Sequence, residues 1–197
     1  MDANREGFSA NLLAPSAAGA FPFLLISGPY AASSTMLTLA ARLALLAPLS
    51  VIDGGNRFNA REAARILRKL SAPDLYAALE RIQLARAFTC YQLLALLEET
   101  PSSARATLVI DLLDTFYDES VPLLERRRLV ENCLLHLRRL SLLAPVVASV
   151  RPPAPAQSDP TGLLETVQQA ADTLWLQDDV FETGQARRSS ISQLDLF

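Results

Sequence analysis

The chain is poor in the residues that most often build metal and nucleophile sites. Its 197 residues include one histidine, His136, and two cysteines, Cys90 and Cys133. A histidine-based metal site has no second ligand to draw on, so we expect His136 at the surface or core edge of a helix. Both cysteines fall in apolar, helix-like segments. They are expected to be buried free thiols of a reducing cytosol rather than a disulfide or a metal pair.

A surplus of basic residues and a membrane-length apolar run are also absent. The chain has 18 basic and 21 acidic residues, whereas a protein that binds nucleic acid strongly on its own usually carries a basic surplus. Any DNA contact should therefore be weak or made through a partner. The N-terminus lacks the pattern of a signal peptide, and the apolar stretch 36–49 is interrupted by Arg42 and Pro48. We expect a cytoplasmic protein without a membrane segment.

The composition that remains is that of one globular domain with two polar ends. Half of the residues are hydrophobic, which is enough for a full core in a chain of this length. Residues 1–20 are small and polar and are predicted to form a flexible leader. Residues 21–177 are predicted to form the domain, and residues 178–197 a flexible tail.

Short apolar runs alternate with helix-like segments throughout the predicted domain. The expected strands are 21–27, 49–53, 82–88, 106–111, 146–150 and 173–177, and the expected helices are 33–46, 60–70, 75–80, 90–99, 122–141 and 161–171. This alternation predicts an α/β fold with a mainly parallel sheet and helices on both faces. Functional side chains of such sheets lie at the carboxyl ends of the strands.

The first expected strand ends in a segment similar to a phosphate-binding loop, G-x-x-x-x-G-K-[ST]. Gly28 keeps the first glycine and Thr35 keeps the metal-coordinating hydroxyl, but Ser33 and Ser34 replace the second glycine and the lysine. Serine cannot supply the positive charge that the lysine places on the phosphates. The segment is thus either a relic phosphate loop or an ordinary strand-to-helix turn.

Several further segments occur in the order found in RecA-type recombinases. They are VIDGGNRF at 51–58, LARAFT at 84–89, LVID at 108–111 and VVAS at 146–149. Together with Gly28–Thr35, they resemble the RecA-type ATPase core, especially its archaeal and eukaryotic branch, over about residues 21–177. The resemblance implies a RecA-like P-loop NTPase fold. It also implies a nucleotide site with Gly28, Ser33, Ser34, Thr35 and Asp111 as its relic, Asp111 being the magnesium-holding acid.

The departures from that family concern the catalytic groups. Gly55 stands where the family has the glutamate that activates water, and Val150-Arg151 stand where a glutamine ends the strand. With the phosphate lysine also missing, the resemblance implies no catalytic residue, no resident metal, and at most weak binding of ATP and Mg²⁺. The alternative is an active ATPase acting on DNA, with Thr35 and Asp111 holding magnesium and Asp114 or Glu119 as the base.

The long expected helix carries two arginine clusters, 126–128 and 138–139. They could touch DNA phosphate, but a solvated face paired with Glu125 and Glu131 is the favoured interpretation.

The last residues of the sequence carry a second resemblance. Gln193, Leu194, Asp195, Leu196 and Phe197 read QLDLF, which resembles the peptide that docks bacterial replication and repair proteins on the sliding clamp, the β subunit of DNA polymerase III. Leucine and phenylalanine side chains of such a peptide enter apolar pockets, and the glutamine amide gives directional hydrogen bonds. The preceding polar stretch can present the motif. The alternative is a last strand that folds back onto the core.

Together the two resemblances imply a catalytically degenerate RecA-like accessory protein of bacterial DNA repair, recombination or translesion synthesis. It would dock on the sliding clamp and recruit a repair or translesion polymerase or RecA. Small RecA-related accessory proteins of bacterial mutasome systems are similar in this respect.

Overall fold

The computed structural model describes residues 15, 19–29, 31–117, 120–153 and 162–177, with only the backbone described for residues 32 and 33. Most of the expected leader, the expected tail with the clamp-binding peptide 193–197, and Glu119 lie outside these residues. The predicted ends of the domain are therefore not tested at either side.

The described part of the chain is built around one six-stranded sheet. Its strands are β1 (Phe23–Ser27), β2 (Leu49–Asp53), β3 (Ile82–Arg86), β4 (Ala106–Ile110), β5 (Val146–Val150) and β6 (Thr173–Leu176). Their order across the sheet is β3-β2-β4-β5-β1-β6, and all neighbouring pairs are parallel. The α/β class with a parallel sheet is thus confirmed, and the architecture is consistent with a RecA-like fold.

Within the described residues, six α-helices connect the strands. They are α1 (Met36–Leu46), α2 (Ala60–Lys69), α3 (Leu75–Glu80), α4 (Cys90–Glu99), α5 (Leu123–Ser141) and α6 (Leu163–Ala170). Side-chain caps begin three of them: the side chains of Asn59, Asp74 and Thr89 accept hydrogen bonds from backbone N–H groups of the first turns of α2, α3 and α4. These caps satisfy N–H groups that have no partner within the helix.

The helices cover the two faces of the sheet in chain order. Residues of α1 and α2 pack with Leu24, Ile26 and Val51 on one face, whereas α4, α5 and α6 pack on the other face with Phe23, Leu25 and Ile52. The alternating side chains of the four inner strands, β1, β2, β4 and β5, therefore pack into two separate cores, which is why these strands are continuous apolar runs in the sequence. Both faces are covered by helices, as predicted.

The boundaries differ from the prediction mainly where the chain leaves β1. Residues Ala31–Thr35 form a single π-helical stretch, and regular α-helix begins only at Met36. Cys90 and Cys133 are buried free thiols, as expected, and burial, together with the nearby Cys90, raises the pKa of Cys133 to about 12. Among the described residues, none of the helices combines the length and the apolar character that crossing a membrane requires.

Candidate functional site at the carboxyl ends of the strands

The carboxyl ends of the strands bring the sequence-predicted residues to one edge of the sheet. Asp111 follows β4 and Arg151 follows β5, and these two strands are neighbours. Gly28 follows β1, on the far side of β5 from β4. The two parts of the expected nucleotide site, Gly28–Thr35 and Asp111, thus lie on strands separated by β5.

Asp111 is held in an unusual backbone conformation. Its φ is +58°, in the left-handed region that non-glycine residues seldom adopt. Its N–H donates to Ser149 Oγ over 3.0 Å, and only 1% of the residue is exposed. In this conformation the carboxylate lies against Gly55, which follows β2, and contacts Arg151, which follows β5.

Arg151 binds the carboxylate of Asp111 directly. Arg151 Nε donates to Asp111 Oδ2 over 2.6 Å, and Nη2 contacts the same oxygen. The same Nη2 also donates to Asp114 Oδ1 over 2.5 Å. Arg57 Nε lies 3.8 Å from Asp111 Oδ2 on the other side. Two arginines therefore surround one buried and one exposed aspartate.

Burial and the arginines act in opposite directions on Asp111. Burial raises the pKa of Asp111 above its ordinary value, and the guanidinium of Arg151, with a smaller contribution from Arg57, opposes this rise. Burial is the larger effect, so the ion pair compensates only part of the cost of the buried charge.

Gly55 packs directly on this carboxylate. A Cβ at position 55 would overlap Asp111 Oδ2 and lie 2.7 Å from Asp111 Cβ. A glutamate at this position, where the resembled recombinases carry their base, would therefore have to displace Asp111. Asp111 can take its observed position only because residue 55 has no side chain.

Gln177, which follows β6, packs against Gly28 and binds the side chain of Thr35. Gln177 N–H donates to Ser27 O over 2.7 Å, and a Cβ on Gly28 would overlap the carbonyl oxygen of Gln177. Ala31 N–H donates to Gly28 O over 3.1 Å, so the chain turns directly into the π-helical stretch. Glycine is needed at position 28 because Gln177 packs against it.

The hydroxyl group of Thr35, the expected metal ligand, is bound by another side chain. The hydroxyl accepts a hydrogen bond of 2.5 Å from Gln177 Nε2. The side chain of Ser34, at the position of the lost lysine, is exposed. Since Asp111 is bound by Arg151 and Thr35 by Gln177, the residues present do not fit a magnesium–nucleotide complex.

Asp53 was not singled out as a site residue from the sequence. Its buried carboxylate accepts hydrogen bonds from the N–H groups of Arg57 (2.9 Å) and Phe58 (2.8 Å), and Arg86 Nε lies 3.5 Å away. Asp53 thereby fixes the turn that carries Arg57 to Asp111. Asp53 therefore has a structural role, because its carboxylate is bound by backbone N–H groups of this turn and by the side chain of Arg86.

A shallow depression of about 240 Å³ opens beside this cluster. Its walls are the backbone at Gly54 and Gly55 together with Asn56, Phe88 and Thr115. Phe88 is 69% exposed there, and Thr115 Oγ1 is buried without a hydrogen-bond partner among the described residues.

The arginine clusters of α5 follow the favoured interpretation only in part, since Arg138 pairs with Asp172 and Arg139 donates to the carbonyls of Leu97 and Thr100. Arg127 pairs with Glu131 and Arg128 with Glu125 on the exposed face. Arg126 was expected on that face as well, but this was wrong: only 7% of it is exposed, and it donates to the carbonyls of Val121 and Phe116. Its position in the helix turns it inwards, where backbone oxygens of the preceding loop satisfy it.

The remaining candidates add no catalytic group. His136 is half-buried on α5, as expected, with Nδ1 lacking a hydrogen-bond partner among the described residues. Over the part of the chain that the structure describes, no three His, Cys, Asp or Glu side chains are grouped to hold a metal ion. The sequence matches no protein-family model and no curated protein.

Proposed function

We propose that this chain is a non-catalytic accessory protein of bacterial DNA repair, recombination or translesion synthesis. Residues 193–197 would dock on the DNA sliding clamp, and the α/β domain would recruit a partner, either a repair or translesion polymerase or a RecA-type recombinase. The observation that carries the proposal is the QLDLF sequence at 193–197, which resembles clamp-binding peptides.

The geometry at the strand ends supports a role without ATP hydrolysis. The carboxylate of Asp111 is bound by Arg151 over 2.6 Å, and the hydroxyl of Thr35 is bound by Gln177 over 2.5 Å. Asp111 Oδ2 and the Thr35 hydroxyl are thus already bound by side chains of the chain itself, and Gly55 offers no base. With these groups bound by its own side chains, the domain would act by binding a partner rather than by hydrolysing ATP.

Clamp binding is tested with the full chain and a purified bacterial sliding clamp. We expect removal of residues 193–197 to weaken binding at least about a thousandfold, because it removes the three apolar anchors Leu194, Leu196 and Phe197, which contribute roughly 1.5–3 kcal/mol each. Isothermal titration calorimetry measures the effect. Retained affinity would show that these residues are not the anchor.

A matched pair of variants separates the motif from the rest of the tail. The Leu196→Ala, Phe197→Ala double variant should lose binding as the deletion does, whereas Ser189→Ala, Ser190→Ala should bind like the wild type. A synthetic peptide of residues 188–197 should compete with the full chain for the clamp. Equal loss in both double variants would indicate a requirement for tail composition rather than for the motif.

An ATPase assay tests the alternative. We expect phosphate release at the level of the buffer background with ATP and Mg²⁺, both with and without single-stranded DNA. Turnover that Asp111→Ala abolishes and Asp172→Ala preserves would make the protein an enzyme and overturn the non-catalytic proposal.

A further inference from the structure

The guanidinium of Arg151 lies between two carboxylates at the edge of the sheet where ligands of parallel-sheet proteins bind. We propose that Arg151 is a built-in cation that takes the place of a divalent metal ion at Asp111 and Asp114. The cluster would then keep one geometry whether or not metal or nucleotide is present. This inference does not depend on clamp docking by the tail.

The guanidinium nitrogens of Arg151 lie as close to the two carboxylates as a metal ion would. Nε lies 2.6 Å from Asp111 Oδ2, and Nη2 lies 2.5 Å from Asp114 Oδ1. Hard divalent ions bind carboxylate oxygens at comparable or shorter distances. A metal ion could reach these oxygens only after the guanidinium had left, so the arginine excludes it by occupying its place.

The charges of the two aspartates and two arginines already balance without a metal ion. The carboxylates of Asp111 and Asp114 are matched by Arg151, and Arg57 adds a second positive charge 3.8 Å from Asp111 Oδ2. A divalent ion would enter a site that is already neutral, next to two guanidinium groups that repel it. Because Asp111 is 1% exposed, water screens this repulsion poorly.

The ion pair also joins two strand ends. Asp111 follows β4 and Arg151 follows β5, and Asp111 N–H is bound to Ser149 Oγ on β5. Asp114 opens the short 3₁₀ helix Asp114–Phe116. A cation supplied by the chain itself therefore fixes the strand ends and the following loop permanently, where a bound ion would fix them only while present.

The test compares divalent-ion binding by the wild type, Arg151→Met and Arg128→Met. Arg128→Met is the matched control because it removes an exposed arginine from its pair with Glu125. We expect Arg151→Met to lower Tm by roughly 5–15 °C. Millimolar Mn²⁺ should then raise its Tm by roughly 3–6 °C beyond NaCl of equal ionic strength. The other two proteins should not respond.

Electron paramagnetic resonance of free Mn²⁺ gives a direct count of bound ions. Arg151→Met should bind one ion and lose it when Asp111→Asn is added, whereas the wild type should bind none. Mn²⁺ binding by the wild type at Asp111, or a folded Arg151→Met protein that binds no Mn²⁺, would overturn the proposal.

Arg151→Lys keeps the charge and tests the proposal if Arg151→Met does not fold. We expect this variant to fold, with a Tm a few degrees below that of the wild type, and not to respond to Mn²⁺. Loss of the fold despite the retained charge, or a response to Mn²⁺ with lysine in place, would contradict a built-in cation.

Discussion

Gly55 shows how a single position without a side chain sets the character of the strand-end cluster. The carboxylate of Asp111 occupies the space into which a side chain at position 55 would point. Gly55→Ala should therefore destabilise the protein by about 1–3 kcal/mol, the usual cost of overpacking. Urea denaturation measures the change.

A double-mutant cycle supplies the control for this prediction. Asp111 has a φ of +58°, which glycine adopts readily, so Asp111→Gly removes the obstructing side chain without backbone strain. In that background Gly55→Ala should cost less than about half as much. Purely additive effects would mean that the two residues do not compete for space.

The pH dependence of stability at Asp111 follows from the direction of its pKa. Burial raises the pKa in the folded protein, and Arg151 opposes the rise only in part. A raised folded-state pKa stabilises the protein at pH values below the unfolded pKa, and this contribution is lost as pH rises through the folded pKa. The Tm of the wild type relative to Asp111→Asn should therefore fall from about pH 4 towards neutrality. A difference that grows with pH would show that Arg151 dominates.

For single residues, the sequence predicted which residues lie at the strand ends but not which side chains they bind. Asp111, Arg151 and Gly55 were all recognised as strand-end residues, and the missing base and lysine could be seen from the letters alone. That Arg151 binds Asp111 depends on β4 and β5 being neighbours, which sequence spacing does not specify. The Gln177–Thr35 hydrogen bond likewise joins residues that only the sheet order brings together.

The helix α4 illustrates an element whose start is encoded locally. Thr89 Oγ1 accepts a hydrogen bond of 3.1 Å from the N–H of Gln92 and so caps the first turn of the helix. Thr89→Ala should cost about 1 kcal/mol of unfolding free energy and Thr89→Ser much less, because serine retains the cap. Chemical denaturation of both variants tests this, and equal losses would show that the methyl group matters rather than the hydroxyl.

All twelve predicted strands and helices are present, because each carries its own periodicity and end signals. The stretch after β1 was not predicted in detail: residues 31–35 are π-helical, and they contact β5 and Gln177, which are remote in sequence. Arg126 was misplaced for a similar reason. Three consecutive arginines suggest a solvated face, but the angular position of the first one on α5 directs it to backbone carbonyls of the preceding loop.

For the molecule as a whole, the two edge strands of the sheet differ in the charged residues that they carry. The outer edge of β3 carries Arg86 and Gln83, with Arg105 bound to Gln83. The four residues of β6 include no charge and no proline, and Leu176 is 61% exposed. Apolar edge strands that carry no charge favour pairing between chains.

The difference between the edges leads to a prediction about self-association. Leu176→Lys should reduce light scattering of concentrated protein while leaving Tm within about 2 °C, since an exposed side chain contributes little to the core. Leu84→Lys, at the opposite edge, where the leucine is also exposed, should change neither quantity. Unchanged scattering in Leu176→Lys would show that β6 is not the associating edge.

The order of the strands also bears on how the chain is made. Phe23 pairs with Val146, and the other neighbour of β1 is β6, which is later still in the sequence. During translation the apolar segment Phe23–Ser27 therefore has no strand to pair with until most of the chain has left the ribosome. Pairing between such remote segments makes folding slow. A chaperone that binds nascent chains would find its first target at the strand that ends beside Arg151 and Gln177.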